Sequence, residues 1–294
     1  VSGWDDPRMP ALAGLRRRGV PPEAIREFVR RIGMSKANSV VDIAMFDHAI
    51  RDHLNQTAQR RMAVLRPLKL VIENFPEGHV EELDAVNHPA DPAAGTRTLR
   101  FSREIFIERT DFSETPPPDW MRLRPGGEVR LLSAYIIRCD EVVKDAEGRI
   151  VELRATYDPA TRGGDAPDGR RPKATLHWLA AASAVPAEVR LYDHLFVRPD
   201  PGADDADPVD SLNPDSEQVL AHARFVLARA GRMQPEQRGA CGPAGRRSGQ
   251  DRVRAHVGHE VGPALRRRRS RSRRRRRRSP RQVFLIISRF NRHV

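Results

Sequence analysis

The sequence predicts an α+β protein, in which a short helical segment precedes a longer all-β region and an arginine-rich tail. Apolar residues recur at helical spacing in two stretches before residue 59. From residue 60 to about residue 198, the apolar runs are short and are bounded by Pro, Gly, Asn or Asp, which is typical of a sandwich or barrel. Residues 221–294 contain too few apolar residues to form a core, and we expect them to be disordered.

Two helices are predicted in the first part of the chain. The sequence Pro-Pro-Glu at residues 21–23 suits a first helical turn, because Pro lacks an N–H that would have no partner there and Glu complements the helix dipole. The apolar stripe that follows ends before Gly33, a typical helix stop. We expect the second helix to run from about Ser39, which is a suitable N-cap, to about Asn55.

The most distinct strand prediction is residues 131–138, an apolar run that follows a Pro-Gly-Gly turn. Arg122 and Arg130 lie at the two ends of that turn. A guanidinium is a planar fork of donors, so two of them on a hairpin could recognise base edges or phosphates. The alternative interpretation is that both are solvated turn residues.

The positive charge of the chain is concentrated in its tail. The formal net charge is +13 at pH 7. Residues 221–294 contain 22 of the 52 basic residues and three of the 39 acidic residues, a charge of +19, which leaves −6 for residues 1–220. A nucleic-acid site in the body of the protein must therefore be a local patch of positive charge.

The side chains show no catalytic or metal-binding constellation. Cys139 and Cys241 have no CxxC or Cys–His spacing, which argues against a zinc site or a disulfide framework and for a reducing compartment. His177 has no Ser or Cys partner near it in sequence, and we interpret the pair as a packed Trp178 next to a histidine whose hydrogen bonds are satisfied. Residues 283–287 are too short an apolar stretch to span a bilayer, and no signal peptide is present, so we expect a cytoplasmic protein.

The first residues, VSGWDDPRMP, resemble the GWDDPRMPT signature of glutaminyl-tRNA synthetases, which are class I aminoacyl-tRNA synthetases. Ala11 stands where that family usually has Thr. Further matches follow in the family's order and spacing, and the resemblance covers residues 3 to about 219. They include GLRRRG at 14–19, MAVL at 62–65, NHP at 87–89, FSREI at 101–105, EVRL at 128–131, APDGR at 166–170, HW at 177–178 and RLYD at 190–193.

The resemblance implies a domain organisation. In that family, a tandem of β-barrels binds the anticodon. We therefore expect residues 1–20 to end the catalytic core, residues 21–59 to form a helical subdomain, and residues 60–220 to form the anticodon-binding β-barrel domain. The distal barrel is expected at about residues 85–180, and the proximal barrel is expected to be incomplete. Residues 221–294 are the predicted disordered tail.

The resemblance also implies the binding residues. Arg60, Arg122 and Arg130 align with the arginines that the family uses for the middle, third and first anticodon bases. Lys36 lies in the helical region that the family places along the inside of the tRNA, so it is a candidate for contact with the tRNA backbone. The string Met-Ser-Lys at residues 34–36 resembles part of the ATP-binding KMSKS signature. Because that signature lies upstream of the GWDDPR loop in the family, we do not interpret it as an ATP site.

The function that the resemblance implies is that of a glutamine–tRNA ligase. Such an enzyme binds tRNA-Gln, uses ATP with magnesium, and is expected here to be a monomer. In a complete family member, the HIGH-type and KMSKS-type regions precede the segment that corresponds to residue 1. We therefore expect this chain alone to bind no ATP and to be inactive in aminoacylation.

Two alternatives remain open at the level of sequence. A glutamyl-tRNA synthetase of the archaeal or eukaryotic type shares the GWDDPR loop and the barrels. A stand-alone RNA-binding protein could instead use its Arg tail for phosphate affinity. The tail itself is either an RNA-binding arm or out-of-frame translation of a GC-rich gene.

Overall fold

The computed structural model describes residues 1–34, 41–164, 166–198, 200–202, 207–226 and 284–288. Its helices are α1 Leu12–Arg18, α2 Pro22–Ile32 and α3 Ile43–Thr57. Its strands are β1 Ala63–Val64, β2 Pro67–Ile72, β3 Val80–Val86, β4 Thr96–Ser102, β5 Glu104–Glu108, β6 Glu128–Leu131, β7 Ile136–Lys144, β8 Ile150–Asp158, β9 Thr175–Leu176, β10 Trp178–Ala180, β11 Val185–Tyr192, β12 Glu217–Phe225 and β13 Phe284–Ser288.

These elements divide between two compact units. The first unit contains the described residues of 1–55, 187–221 and 254–294, and the second contains those of 56–186 and 222–253. The three helices and the many strands agree with the predicted α+β class.

The helices of the first unit begin and end for identifiable reasons. Helix α2 has Glu23 in its first turn, and it ends at Gly33, which has a φ of 72°. Helix α3 begins later than predicted. Ser39 lies outside the described residues, and the observed cap is Asp42, whose Oδ1 accepts a hydrogen bond of 2.8 Å from the backbone N–H of Ala44.

The helices pack through a small apolar cluster. Ala24 is fully buried, and the ring of Phe28 meets that of Phe46 edge to face, with centroids 4.9 Å apart. Val29 and Ile32, which belong to the predicted apolar stripe, are exposed, so the buried face of α2 is narrower than the stripe. No helix among the described residues is long and apolar enough to cross a bilayer.

The first unit also contains a β-structure. Strand β12 lies next to β11, and β13 pairs with β11 in parallel, with Val189 opposite Leu285. The prediction of a wholly disordered tail from residue 221 is therefore wrong at residues 221–225 and 284–288, which lie in strands. In the first of these places, residues 222–225 belong to the second unit, where pairing with β1 and the burial of Ala223 extend the ordered chain beyond the last apolar run. The rest of the predicted tail, apart from residue 226, lies outside the described residues.

The second unit is built around a seven-stranded mixed sheet with the order β10-β5-β2-β8-β7-β6-β9. The strands at the two ends of this order, β9 and β10, are separated in the chain by His177 alone. Because its two edges are held that close together, the sheet curves into a nearly closed barrel. Strands β3 and β4 form a separate antiparallel hairpin.

The seven-stranded sheet includes residues before 85, because its strand β2 begins at Pro67. Strand β2 lies between β5 and β8 in the sheet, antiparallel to the former and parallel to the latter. Leu68, Leu70 and Ile72 alternate along β2 and are at most 1% exposed. The local alternation correctly predicts a strand, but pairing with a strand so distant in sequence could not be predicted from it.

An aromatic cluster forms the centre of the second unit. Its members are Phe75, Phe101, Tyr135, Tyr157 and Trp178, with ring centroids between 4.9 and 6.2 Å apart. Trp178 is 1% exposed, and its Nε1 donates a hydrogen bond of 2.9 Å to the carbonyl of residue 132. The interpretation of Trp178 as a core residue is therefore confirmed.

The prediction of one continuous strand at residues 131–138 is wrong, although residues 131 and 136–138 do lie in strands. Strand β6 ends at Leu131, the chain turns, and β7 begins at Ile136. The N–H of Leu131 donates to the carbonyl of Tyr135 at 2.8 Å, and Ser133 within the turn has a φ of 59°. The turn escapes prediction because it contains no Gly or Pro and its neighbours are apolar and buried.

Ser133 is expected to cost stability, since a side chain in the left-handed region is strained and glycine is not. We expect Ser133→Gly to raise the free energy of unfolding by about 0.5–1 kcal/mol, measured by urea unfolding. Ser113, which does not have a positive φ, provides the control, and Ser113→Gly should lower stability. A loss of stability in Ser133→Gly would contradict the assignment of strain to this turn.

Candidate nucleic-acid interface

Arg60 lies in the connection between α3 and β1. Its backbone N–H donates a hydrogen bond of 2.7 Å to the carbonyl of Asn87, in the loop that follows β3, and the residue is half-buried. Asn87 is itself 8% exposed, so this anchor is part of the folded interior of the second unit. The backbone at Arg60 is therefore fixed at a loop-to-loop junction.

Arg122 lies in the segment before β6 and is held by protein partners. Its Nη1 donates to the carbonyl of Thr110 at 3.0 Å and lies 3.4 Å from a carboxylate oxygen of Asp111. The guanidinium is also 5.8 Å from the ring centroid of Trp120. An RNA base that binds Arg122 therefore has to compete with Asp111, while the indole offers a surface for stacking.

Arg130 lies within β6, with Ile136 of β7 and Thr175 of β9 as its neighbours in register. Its Nη1 makes a long hydrogen bond of 3.5 Å to the carbonyl of Thr161. This weak contact leaves most of the donor capacity of the guanidinium available.

The predicted turn between Arg122 and Arg130 is confirmed. The N–H of Gly126, which has a φ of 68°, donates to the carbonyl of Cys139 at 2.7 Å and ties the turn to β7. The structure thus places Arg122 and Arg130 at the two ends of one turn. Arg60 belongs to a different segment of the same unit, and Lys36 lies outside the described residues.

Arg61 and Arg97 were not identified from the sequence. The Nη1 of Arg61 donates to the side-chain oxygen of Asn87 at 2.8 Å, and the Nη1 of Arg97 donates to the carbonyl of Val86 at 2.7 Å. Burial lowers the pKa of both guanidinium groups, and the charge of Arg61 lowers that of Arg97 further. The adjacency of Arg61 to Arg60 was the available signal, but only the hairpin places Arg97 near it.

An open cleft of about 800 Å³ in the second unit is a weaker candidate for binding. Lys69 in its wall pairs with Glu104 at 2.8 Å and with Glu152 at 3.2 Å. Its charged groups neutralise one another, so the cleft has little net attraction for a charged ligand.

In the GWDDPR loop of the first unit, the polar groups form hydrogen bonds with one another. The carboxylate of Asp6, which is 1% exposed, accepts bonds from the guanidinium of Arg8 at 2.7 and 3.0 Å and from the N–H of Ser2 at 2.8 Å. Arg8 also donates to the hydroxyl of Ser216 at 2.9 Å. The hydrogen bonds from Arg8 hold the pKa of Asp6 far below its usual range, and Asp6 raises the pKa of Arg8.

These contacts do not fit a site for ATP. The guanidinium of Arg8 is committed to Asp6 and Ser216, so it cannot also bind phosphates. Gly14, the nearest helical glycine, packs on the loop, where an added Cβ would lie 2.4 Å from the carbonyl oxygen of Asp6. The described residues also contain no group of three or more His, Cys, Asp or Glu side chains arranged to hold a metal ion.

Comparison with known protein families finds matches to two kinds of domain. Two models described as class I tRNA synthetases (E and Q), anti-codon binding domain, match residues 58–158 and 175–238. A model of the catalytic domain of the same class matches residues 1–56. The match continues to residue 238, which corrects the expectation that the resemblance ends at about residue 219.

Similar proteins are named glutamine–tRNA ligase. That of Bradyrhizobium diazoefficiens is 61% identical over 230 residues, which cover 78% of this chain and 41% of the relative. That of Nitrobacter winogradskyi is 65% identical over 221 residues, covering 75% and 39%. That of Pseudomonas aeruginosa is 52% identical over 240 residues, covering 81% and 43%.

The chain spans about 40% of the length of the curated relatives that it matches. The matched segments run in the same order as the helical and barrel-forming parts of the structure. This chain belongs to the class I (E and Q) tRNA synthetases.

Proposed function

We propose that this chain binds tRNA-Gln and reads its anticodon, as the recognition part of a glutamine–tRNA ligase that supports translation in the cytoplasm. The observation that carries the proposal is the coincidence of the barrel with a match to the anticodon-binding model at residues 58–158. Arg60, Arg122 and Arg130 all belong to that segment. The identity of 61% to a glutamine–tRNA ligase favours glutamine over glutamate.

In the proposal, the three arginines hydrogen-bond the exposed edges of unpaired anticodon bases. Arg60 is assigned to the middle base, Arg122 to the third and Arg130 to the first. Lys36 is assigned to the tRNA backbone. The complete enzyme is a monomer that uses ATP with magnesium, and the catalytic core ends within residues 1–20.

We further propose that the β11–β12 region corresponds to the incomplete proximal barrel of a tandem, and the seven-stranded sheet to the distal barrel. Residues 21–59 are then the helical subdomain. The tail of 221–294, apart from its two strands, contributes only general RNA affinity, if it is translated in frame.

We expect Arg60→Ala to weaken binding of tRNA-Gln by about 10- to 100-fold, because a bidentate contact to a base contributes about 1–3 kcal/mol. The same variant should leave binding to a tRNA with a changed middle anticodon base nearly unaltered. The measurement is a filter-binding titration of the full chain with both tRNAs. The ratio of the two dissociation constants cancels the contribution of the Arg tail, which does not distinguish anticodons.

Arg149→Ala is the matched control. Arg149 lies on an exposed turn of the same unit and pairs with Asp145 at 2.9 Å, so its loss should not change the ratio. Preferential binding of tRNA-Glu would favour a glutamyl enzyme. Equal binding of tRNAs that differ in their anticodons would indicate a general RNA-binding protein instead.

The chain alone is not expected to form glutaminyl-adenylate, because its match to the catalytic-domain model covers residues 1–56 and it spans about 40% of the length of its relatives. ATP–pyrophosphate exchange that depends on glutamine and tRNA-Gln, measured with the purified chain, would contradict this part of the proposal.

A further inference from the structure

Two guanidinium groups approach each other at one end of the β3–β4 hairpin. Arg61 donates to the side-chain oxygen of Asn87 at 2.8 Å and to the carbonyl of Arg60 at 3.1 Å. Arg97 donates to the carbonyl of Val86, the residue next to Asn87, at 2.7 Å. The loop of residues 86–87 thus holds both groups from neighbouring positions.

Neither guanidinium has a carboxylate partner among the residues that the structure describes. Elsewhere in the same unit, arginines pair with acids, as Arg170 does with Glu128 and Asp158. The pKa values of Arg61 and Arg97 are lowered by burial, and these are the two arginines of the described chain with a lowered pKa. Two like charges held on one loop repel each other unless an anion binds between them.

The loop that holds Arg61 and Arg97 is fixed by the hydrogen bonds of Asn87. The side-chain amide of Asn87 donates to the carbonyls of Ala94 and Thr96 at 2.9 and 3.1 Å, and its backbone N–H donates to the carbonyl of Gly95 at 2.9 Å. Its side-chain oxygen accepts the hydrogen bond from Arg61. The positions of the donors are therefore set by the folded hairpin before any ligand binds, which lowers the entropic cost of binding.

We propose that Arg61 and Arg97 together bind one phosphate of the RNA backbone, adjacent to the nucleotide that Arg60 recognises. This inference rests on the proposed function, since the backbone N–H of Arg60 is bonded to the same Asn87 that positions Arg61. A phosphodiester presents acceptor oxygens and a full negative charge to the two guanidinium groups. A base edge is neutral and would leave both charges uncompensated.

The first test is the salt dependence of tRNA-Gln binding by the full chain. We expect Arg61→Gln and Arg97→Gln each to weaken binding by about 5- to 10-fold, and the double variant to reduce the slope of log K against log salt by about 0.7–0.9. The preference for the glutamine anticodon should be retained, because phosphate contacts carry no base information.

The matched control is Arg100→Gln. Arg100 belongs to the same strand as Arg97, but it is exposed, alternates to the other face and lies 3.8 Å from Glu82. Its removal takes away the same charge and should change neither the affinity nor the salt slope appreciably. Equal effects of Arg97→Gln and Arg100→Gln would overturn the proposal.

The second test identifies the phosphate itself. In an anticodon stem-loop of tRNA-Gln, each loop phosphate is replaced in turn by an uncharged methylphosphonate. One position should weaken binding to the unsubstituted protein, and the same position should have no effect on the Arg61→Gln/Arg97→Gln double variant. If every sensitive position remains sensitive in the double variant, the site is elsewhere.

The outcomes separate this inference from the proposed function. Absence of anticodon preference in the unsubstituted protein would refute the proposed function. Retained preference with unchanged affinity in both arginine variants would refute only the phosphate site. Thermal unfolding serves as the control for folding, and the two glutamine variants should be at least as stable as the original chain, because a like-charge repulsion is removed.

Discussion

Replacing Trp178 by alanine is expected to lower the free energy of unfolding by about 3–5 kcal/mol, the largest effect of any substitution considered. Trp178 is 1% exposed, and its ring packs edge to face on Phe101 with centroids 5.2 Å apart. The substitution leaves a cavity at the centre of the barrel. It also removes the indole N–H that satisfies the carbonyl of Leu132. Urea unfolding followed by far-UV circular dichroism measures the loss.

Trp4→Ala is the matched control, since Trp4 is 82% exposed. It should change stability by less than about 0.5 kcal/mol. Trp178→Phe separates the two contributions, because it keeps most of the apolar volume but removes the hydrogen bond. We expect it to cost about 1–3 kcal/mol, and a loss as large as that of Trp178→Ala would show that the hydrogen bond dominates.

Asp6→Asn is expected to destabilise the first unit by about 3 kcal/mol at neutral pH, because it leaves the guanidinium of Arg8 without its buried counter-charge. Asp6 and Arg8 have side chains that are 2% and 13% exposed, so solvent does little to screen the pair. The affected contacts extend through Arg8 to Ser216, at the start of the sheet. Urea unfolding at several pH values provides the measurement.

The pH dependence of this difference has a defined sign. The pKa of Asp6 is lower in the folded chain than in the unfolded chain, chiefly because of its hydrogen bonds from Arg8. The stabilisation is therefore complete above the unfolded pKa of about 3.9 and is lost as the pH falls further. The original chain and Asp6→Asn should converge in stability below about pH 4. A constant difference across this range would contradict the ion pair.

The neighbouring residue supplies the control for this experiment. Asp5 has a side chain that is 58% exposed and pairs with Arg17 at 2.9 Å. An exposed pair of this kind contributes about 0–1 kcal/mol, so Asp5→Asn should be nearly neutral.

The sequence predicted the parts of the fold that local patterns determine. Helix α2 was correctly placed because its Pro, Glu and Gly signals and its apolar spacing agree. Helix α1 was missed, since its one buried residue is Gly14, which packs on the carbonyl of Asp6 rather than presenting an apolar stripe. The turn at Ser133 was hidden within an apolar run. The grouping of residues 187–221 with the helices depends on tertiary contacts that no local pattern contains.

The candidate site shows the same limit. Arg60, Arg122 and Arg130 were proposed from a family resemblance, and the structure adds that Arg122 is paired with Asp111. Arg61 and Arg97 are far apart in the chain, and each is unremarkable in a sequence with 52 basic residues. What distinguishes them is that residues 86–87 hold both guanidinium groups, with no carboxylate partner among the described residues, which is a property of the fold.

The position of β2 in the sheet has a consequence for the order in which the barrel assembles. The hairpin of β7 and β8 joins neighbouring segments, so it can form rapidly and locally. Contacts between β8 and the end of β2 link residues that are far apart in the chain. The hydrogen bond from Asn74 to Tyr157, for example, spans 83 positions, and closing so long a loop is slow. Trp178 is incorporated later still. During synthesis on a ribosome, β2 must therefore wait without its parallel partner, and the nascent barrel exposes an unpaired edge until β10, at Trp178–Ala180, has emerged.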